Sequence, residues 1–147
     1  MQEEYDCLKL ENQLCFPLYA CAKEIVKMYK PFLDEYDLTY TQYITLMVLW
    51  EHHEMNVKEL GKYLYLDSGT LTPVLKKLES KGYIERKRSK TDERNLCIRI
   101  TENGNELKKQ AVVIPKKVGK CVKLKEDEAK QLYSLLYQLL HTINSGE

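Results

Sequence analysis

Thiols are the side chains here best suited to chemistry. The chain of 147 residues carries five of them, Cys7, Cys15, Cys21, Cys97 and Cys121. None stands in C-x-x-C spacing, and His52, His53 and His141 do not gather with them, so no metal site is expected. An odd count argues against a structural disulfide framework and leaves reduced, mostly inert thiols as the default. Cys15 is the exception to weigh. It lies in the stretch LCFPLYAC, near the start of a helical run, where backbone N–H groups favour a thiolate. Cys21, six residues on, points well away from it, because each helical residue turns ~100°. Pro17 between them removes a helical N–H, at little cost if Cys15 opens the helix.

A second chemistry is phosphate binding. The net charge is only +1, from 23 Lys and Arg against 22 Asp and Glu, but the distribution is uneven. Between Lys76 and Ile100 stand nine basic and four acidic residues, whereas residues 1–15 carry four acids against Lys9. Such a stripe is the electrostatic footprint of a nucleic-acid site in an otherwise neutral protein. The elements around it fit that use. Apolar residues recur from Leu14 to Phe32 at helical period, with an end expected near Pro31. A second helix is expected over roughly 41–52, capped by a Thr of YDLTYTQY and burying ITLMVLW. NVKELGKYL reads as a short helix capped by Asn56, and LDSGTLTPVLKKLESKGY as a helix capped by Asp67 and stopped at Gly82.

The last two make a helix-turn-helix. Its second helix turns Leu71, Val74 or Leu75, and Leu78 inward and leaves Ser68, Thr70, Thr72, Lys76 and Lys77 outward. Small hydroxyls followed by lysines suit a helix that approaches base edges and then grips phosphates. YIERKR, a polar turn and NLCIRIT follow as strand, turn and strand, with Leu96, Ile98 and Ile100 alternating inward. A basic hairpin after a helix-turn-helix is a wing. Arg86 on its first strand is a DNA-binding candidate; Arg94 at its tip is placed to enter a minor groove, with Asp92 orienting an arginine.

The chain closes with apolar stripes at Leu107, Ala111, Ile114, Val118 and Val122, then at Leu132, Leu135, Leu136, Leu139, Leu140 and Ile143. A small winged helix cannot cover these together with the N-terminal stripe. The expected fold class is therefore mainly α with a small β wing. Residues 35–104 form a winged helix-turn-helix, and 1–34 with 105–147 form N- and C-terminal helices of a homodimer. A dimer suits double-stranded DNA with an inverted repeat. No apolar run reaches the ~20 residues of a membrane span, and MQEEYDCLKL has no signal-peptide pattern. A cytoplasmic protein is expected.

The order of elements, with DSGTLTP and the later DER–x–x–x–I–x–I–T text, resembles the MarR family of transcriptional regulators. KLENQLCFPLYA, with Tyr29 and Tyr40 downstream, is similar to its organic hydroperoxide resistance branch. The resemblance covers essentially the whole chain and implies a non-enzymatic, cofactor-free, DNA-bound dimer. It implies that Cys15 is the peroxide-sensing thiol, hydrogen-bonded by Tyr29 and Tyr40 of the other subunit. Oxidised to a sulfenic acid and trapped as a disulfide, it releases the operator. Two-cysteine relatives resolve it with a partner cysteine in the region of Cys121; capture by a low-molecular-weight thiol stays open beside that. Spacing agrees with action in trans. Tyr29 is fourteen residues from Cys15, ~20 Å along one helix, while Tyr19 at i+4 reaches it within the chain. Leu14, Phe16 and Leu18 suit an organic rather than an inorganic peroxide.

Three rival readings make different demands. A thiol peroxidase would need a thioredoxin fold, of which nothing is visible. A regulator released by a small aromatic ligand would work without Cys15. A broader thiol-redox regulator of virulence or metabolic genes would use the same cysteine on other targets.

Overall fold

The structure, a computed structural model, describes residues 3–88, 90 and 96–146. Two short 3-10 turns, Glu3–Leu8 and Leu10–Asn12, lead into α1 (Cys15–Asp34). Then come α2 (Tyr40–His52), β1 (Glu54–Asn56), α3 (Val57–Leu64), α4 (Ser68–Ser80), β2 (Ile84–Arg88) and β3 (Leu96–Ile100). Helices α5 (Glu102–Ala111), α6 (Ile114–Gly119) and α7 (Glu126–Asn144) complete the chain. It divides into two compact units, Met1–Pro115 and Lys116–Glu147.

The first unit has the mainly helical winged helix-turn-helix architecture expected. Polar residues start α2, α3 and α4 as predicted. Asn56 accepts from the Glu59 N–H at 2.8 Å and Asp67 from the Thr70 N–H at 2.7 Å. Thr39 caps α2 in a reciprocal box: its hydroxyl takes the Gln42 N–H at 3.2 Å, and Gln42 Oε1 takes the Thr39 N–H at 3.1 Å. Leu46, Leu49, Leu60, Leu71, Leu75, Leu78, Ile84 and Ile98 are each at most 1% exposed and form one core. Burying a leucine contributes about 1.5–3 kcal/mol, so these residues dominate the stability of the unit.

Three expectations need correcting. Helix α1 does not end at Pro31 but runs through it to Asp34. Proline there is close enough to the C-terminus that its fixed φ is accommodated and a single hydrogen bond is lost. Within ITLMVLW, Met47 is 43% exposed, because the helical turn carries it off the buried face. The sheet has three strands, not two, in the order β1-β3-β2, with Glu54 opposite Arg99 and Ile84 opposite Ile100. Three residues are too few to show an alternation, and β1 exists because β3 pairs with it.

Helix α5 locks onto the rest of the first unit. Trp50 Nε1 donates to the Gly104 carbonyl at 2.8 Å, fully buried, and Lys108 Nζ donates to the Trp50 carbonyl at 3.1 Å. Gly104 is obligatory, since a Cβ there would run into the Tyr83 carbonyl oxygen and the Ile100 side chain. Of the first closing stripe, Leu107, Ala111, Ile114 and Val118 are buried within the single chain and Val122 is half-buried.

In the second unit α7 has no buried residue. Leu132, Leu135, Leu136, Leu139 and Ile143 are all exposed, along with the stacked Tyr133 and Tyr137, whose rings lie 4.7 Å apart. Among the described residues no helix is long and apolar enough to cross a membrane.

Candidate functional site

The DNA-reading candidates on α4 are spread over its outward side. Leu71, Leu75 and Leu78 anchor the other face in the core, so Ser68, Thr70, Thr72, Lys76 and Lys77 are exposed together. Hydrogen bonds from the Thr70 backbone N–H and hydroxyl hold the Asp67 carboxyl below its usual range, so the cap stays ionised. The Thr72 hydroxyl donates to the Ser68 carbonyl at 2.7 Å, which leaves its oxygen as an acceptor toward solvent.

Arg86 is engaged within the chain. Its Nη2 donates to Glu79 Oε1 at 2.9 Å and its backbone N–H to Glu79 Oε2 at 3.1 Å, bracing β2 against the last turn of α4. The arginine hydrogen bond keeps the Glu79 carboxyl below its ordinary range. Asp92 and Arg94 lie outside the described residues.

The thiol candidates are dispersed. Cys15 is the first residue of α1, exposed, and among the described residues its sulfur has no hydrogen-bond partner. Leu14 at the cap position supplies no side-chain bond, so the opening N–H groups of α1 are left to solvent. Pro17, in that first turn, removes an N–H that would lack a helical partner anyway. Tyr19 is 61% exposed, with the Lys23 ammonium 5.1 Å over its ring. Cys21 is exposed rather than packed, since α1 buries only Leu33 in its own chain. Cys7 donates to the Glu4 carbonyl at 3.8 Å and the exposed Cys121 to that of Lys117 at 3.6 Å; Cys97 is half-buried in β3. Among the described residues no group of His, Cys, Asp and Glu could hold a metal ion.

The two predicted tyrosines do meet. The Tyr29 and Tyr40 rings lie 4.9 Å apart, joined by Tyr43 at 5.8 and 6.4 Å, and Tyr43 in turn meets Trp50 edge-on at 6.4 Å. Burial raises the pKa of all three phenols, and for Tyr43 this desolvation, with its tyrosine neighbours, pushes the value up to about 12. All three therefore stay protonated, and Tyr29 and Tyr40 are available as donors. Neither phenol finds a hydrogen-bond partner among the described residues, and neither is sealed from solvent. Tyr43 escaped the sequence reading, although its i+3 spacing from Tyr40 puts both on one side of α2. Beside it, Tyr43, Met47, Trp50, Lys108, Val112 and Pro115 line an open, mostly apolar groove of about 390 Å³.

The chain is similar to known transcriptional regulators. Residues 27–111 match the family profile of the transcriptional regulator SarA/Rot. The chain is 51% identical to the organic hydroperoxide resistance transcriptional regulator of Bacillus subtilis, covering 98% of both proteins. It is 48% identical to the HTH-type transcriptional regulator SarZ of Staphylococcus aureus over 86% of each. Among solved structures, reduced AbfR bound to DNA matches with a TM-score of 0.79 at 32% identity, covering 99% of this chain and 98% of that one. AbfR, from Staphylococcus epidermidis, is also known in a disulfide form, which matches with a TM-score of 0.66 at 32% identity and 97% coverage of both chains.

Proposed function

Because the chain belongs to the MarR family of transcriptional regulators, in its organic hydroperoxide resistance branch, we propose that it is a thiol-switched repressor whose switch is Cys15. The family consists of DNA-binding regulators, not enzymes. In this reading residues 1–34 and 105–147 pair two copies in the cytoplasm, and 35–104 of each copy reads half of an inverted repeat. Ser68, Thr70 and Thr72 face base edges, Lys76 and Lys77 grip phosphates, and Arg94, with Asp92, serves the wing tip. Arg86 contributes by holding the wing in place.

The observation that supports the switch best is the placement of thiol and phenols along one helix. Cys15 opens α1 with a solvent-facing sulfur, and Tyr29 presents its ring against Tyr40 about 20 Å further along the axis. The two ends cannot meet within one chain, whereas antiparallel pairing of two α1 helices brings each thiol to the other's phenols.

The chemistry then runs as follows. The Cys15 thiolate attacks the terminal oxygen of an organic hydroperoxide, the O–O bond breaks, and the departing alkoxide takes a proton from solvent to leave as the alcohol. The sulfur is oxidised to a sulfenic acid and the peroxide reduced to the alcohol. A second thiol, Cys121 of the partner or a small cellular thiol, attacks that sulfur and expels water, forming a disulfide. Either product displaces the phenols and the dimer releases its DNA.

A mobility shift on the DNA upstream of the protein's own gene tests this, with and without cumene hydroperoxide. Wild type is expected to let go and Cys15→Ser to stay bound; release of Cys15→Ser would refute the switch. A non-reducing gel separates the two resolving thiols, since only pairing with Cys121 gives a covalent dimer that Cys121→Ser abolishes. The groove beside Tyr43 favours one second reading, release by a small aromatic ligand, in which DNA binding would respond to that ligand in Cys15→Ser as well.

A further inference from the structure

We propose that Lys81 is a positioning residue that relays the state of the sensing tyrosines to both DNA-reading elements. The proposal rests on the redox reading above. Lys81 follows the last residue of α4, and its backbone N–H caps that helix on the Lys77 carbonyl at 3.1 Å. Its side chain is only 23% exposed and reaches away from α4, to the turn between α1 and α2. There the ammonium donates to the backbone carbonyl of Asp37 and to Gln42 Oε1 at 3.2 Å, and pairs with the Asp37 carboxylate at 3.4 Å. These contacts join segments 44 and 39 residues apart in sequence. A lysine suits the position, since a cation at a helix C-terminus is favoured and its three N–H groups match three acceptors.

What lies on either side of this tether makes it a relay. Gln42 is 3% exposed and is the return half of the capping box with Thr39. Tyr40 is the first residue of α2, held between the two box partners. Any displacement of Tyr40 when the partner's thiol changes therefore strains the box that presents Oε1 to Lys81. On the far side, Glu79 stands two residues before Lys81 and holds the wing strand through the backbone and guanidinium of Arg86. Tyr40, its neighbours in the box, Lys81, the end of α4, Glu79 and β2 thus form one path of chain-linked and hydrogen-bonded residues from sensor to reader, all within the first unit. A charge-assisted bond suits such a path, because it is strong and directional. A purely apolar contact would tolerate the same displacement by sliding.

The test is operator affinity of the full-length protein, measured by fluorescence anisotropy on the upstream duplex before and after cumene hydroperoxide. Wild type is expected to lose about tenfold or more on oxidation, within the usual range of coupling between sites. In Lys81→Met the reduced protein is expected to keep its affinity within about threefold, while the oxidation factor falls to about threefold or less. Lys81→Arg, which keeps the cation, is expected to restore most of that factor. A Lys81→Met variant with the wild-type factor, even from a lower starting affinity, overturns the relay and leaves Lys81 a staple. Hydrogen exchange on the wild type gives a readout independent of the variant's folding. Oxidation should speed exchange at residues 40–43 and at 78–88 together; a change confined to 40–43 overturns the relay. Wild type that keeps its DNA after oxidation overturns the redox reading and the relay with it.

Discussion

The winged helix-turn-helix of residues 35–104, the head of the molecule, and helix α7 use their leucines in opposite ways. In the head, Leu46, Leu60, Leu71 and Leu78 are wholly buried within one chain, and every helix start from α2 to α4 is capped by a side chain. In α7, Leu132, Leu135, Leu136, Leu139 and Ile143 are exposed, and the helix buries nothing. An amphipathic helix with an uncovered apolar face draws little stability from its own chain. The contrast teaches where specificity is stored. The surface proposed above to read DNA is fixed by contacts inside one copy, while the dimer proposed above depends on a second copy to complete it.

Substitutions test that division from both sides, and the largest effect is expected in the head. Leu71→Ala should cost about 2–5 kcal/mol in urea denaturation, and the loss should not vary with protein concentration. A concentration-dependent loss would break the contrast. Leu135→Asp should instead raise the dimer dissociation constant at least about tenfold, seen by sedimentation, while the circular dichroism of the head is retained. Next, Asp67→Ala should lower stability by about 1 kcal/mol and fray the start of α4, weakening DNA binding without altering the dimer.

The smallest effect is expected from pH. The unfolded chain loses the Tyr43 proton near its ordinary value of 10.0, whereas the folded chain holds it to about 12. The associated stability is thus fully present below pH 10 and lost between 10 and about 12. Moving from pH 9 to 11 should cost about 1 kcal/mol, read from the urea midpoint, and Tyr43→Phe should flatten that slope.

Much of the head could be read in advance because its signals are local. Asn56 and Asp67 announce their helices, and the spacing of Leu71, Leu75 and Leu78 fixes which face of α4 turns outward. What escaped depends on distant partners. Strand β1 is three residues that only β3 makes into a strand. Pro31 was read as a stop by its own chemistry, although the last turns of α1 accommodate it. Arg86 looks like any wing arginine until folding puts Glu79 beside it, and Lys81 like any surface lysine until the Asp37 turn arrives. The resemblance singled out Tyr29 and Tyr40, whereas their contact with each other and the packing of Tyr43 between them and Trp50 depend on how α1 crosses α2.

The bond from Trp50 to Gly104 also sets an order in time. Its two ends are 54 residues apart, and between them lie α3, α4 and all the strands. During synthesis at about 5–20 residues per second, α2 waits roughly 3–10 s for the glycine that accepts the indole proton. Through that interval α3, α4 and then the strands are made, but the helix that covers Trp50 is not yet complete. The last part of the head to leave the ribosome is thus the part that closes it, and a chain cut short before residue 104 would carry its indole donor unsatisfied.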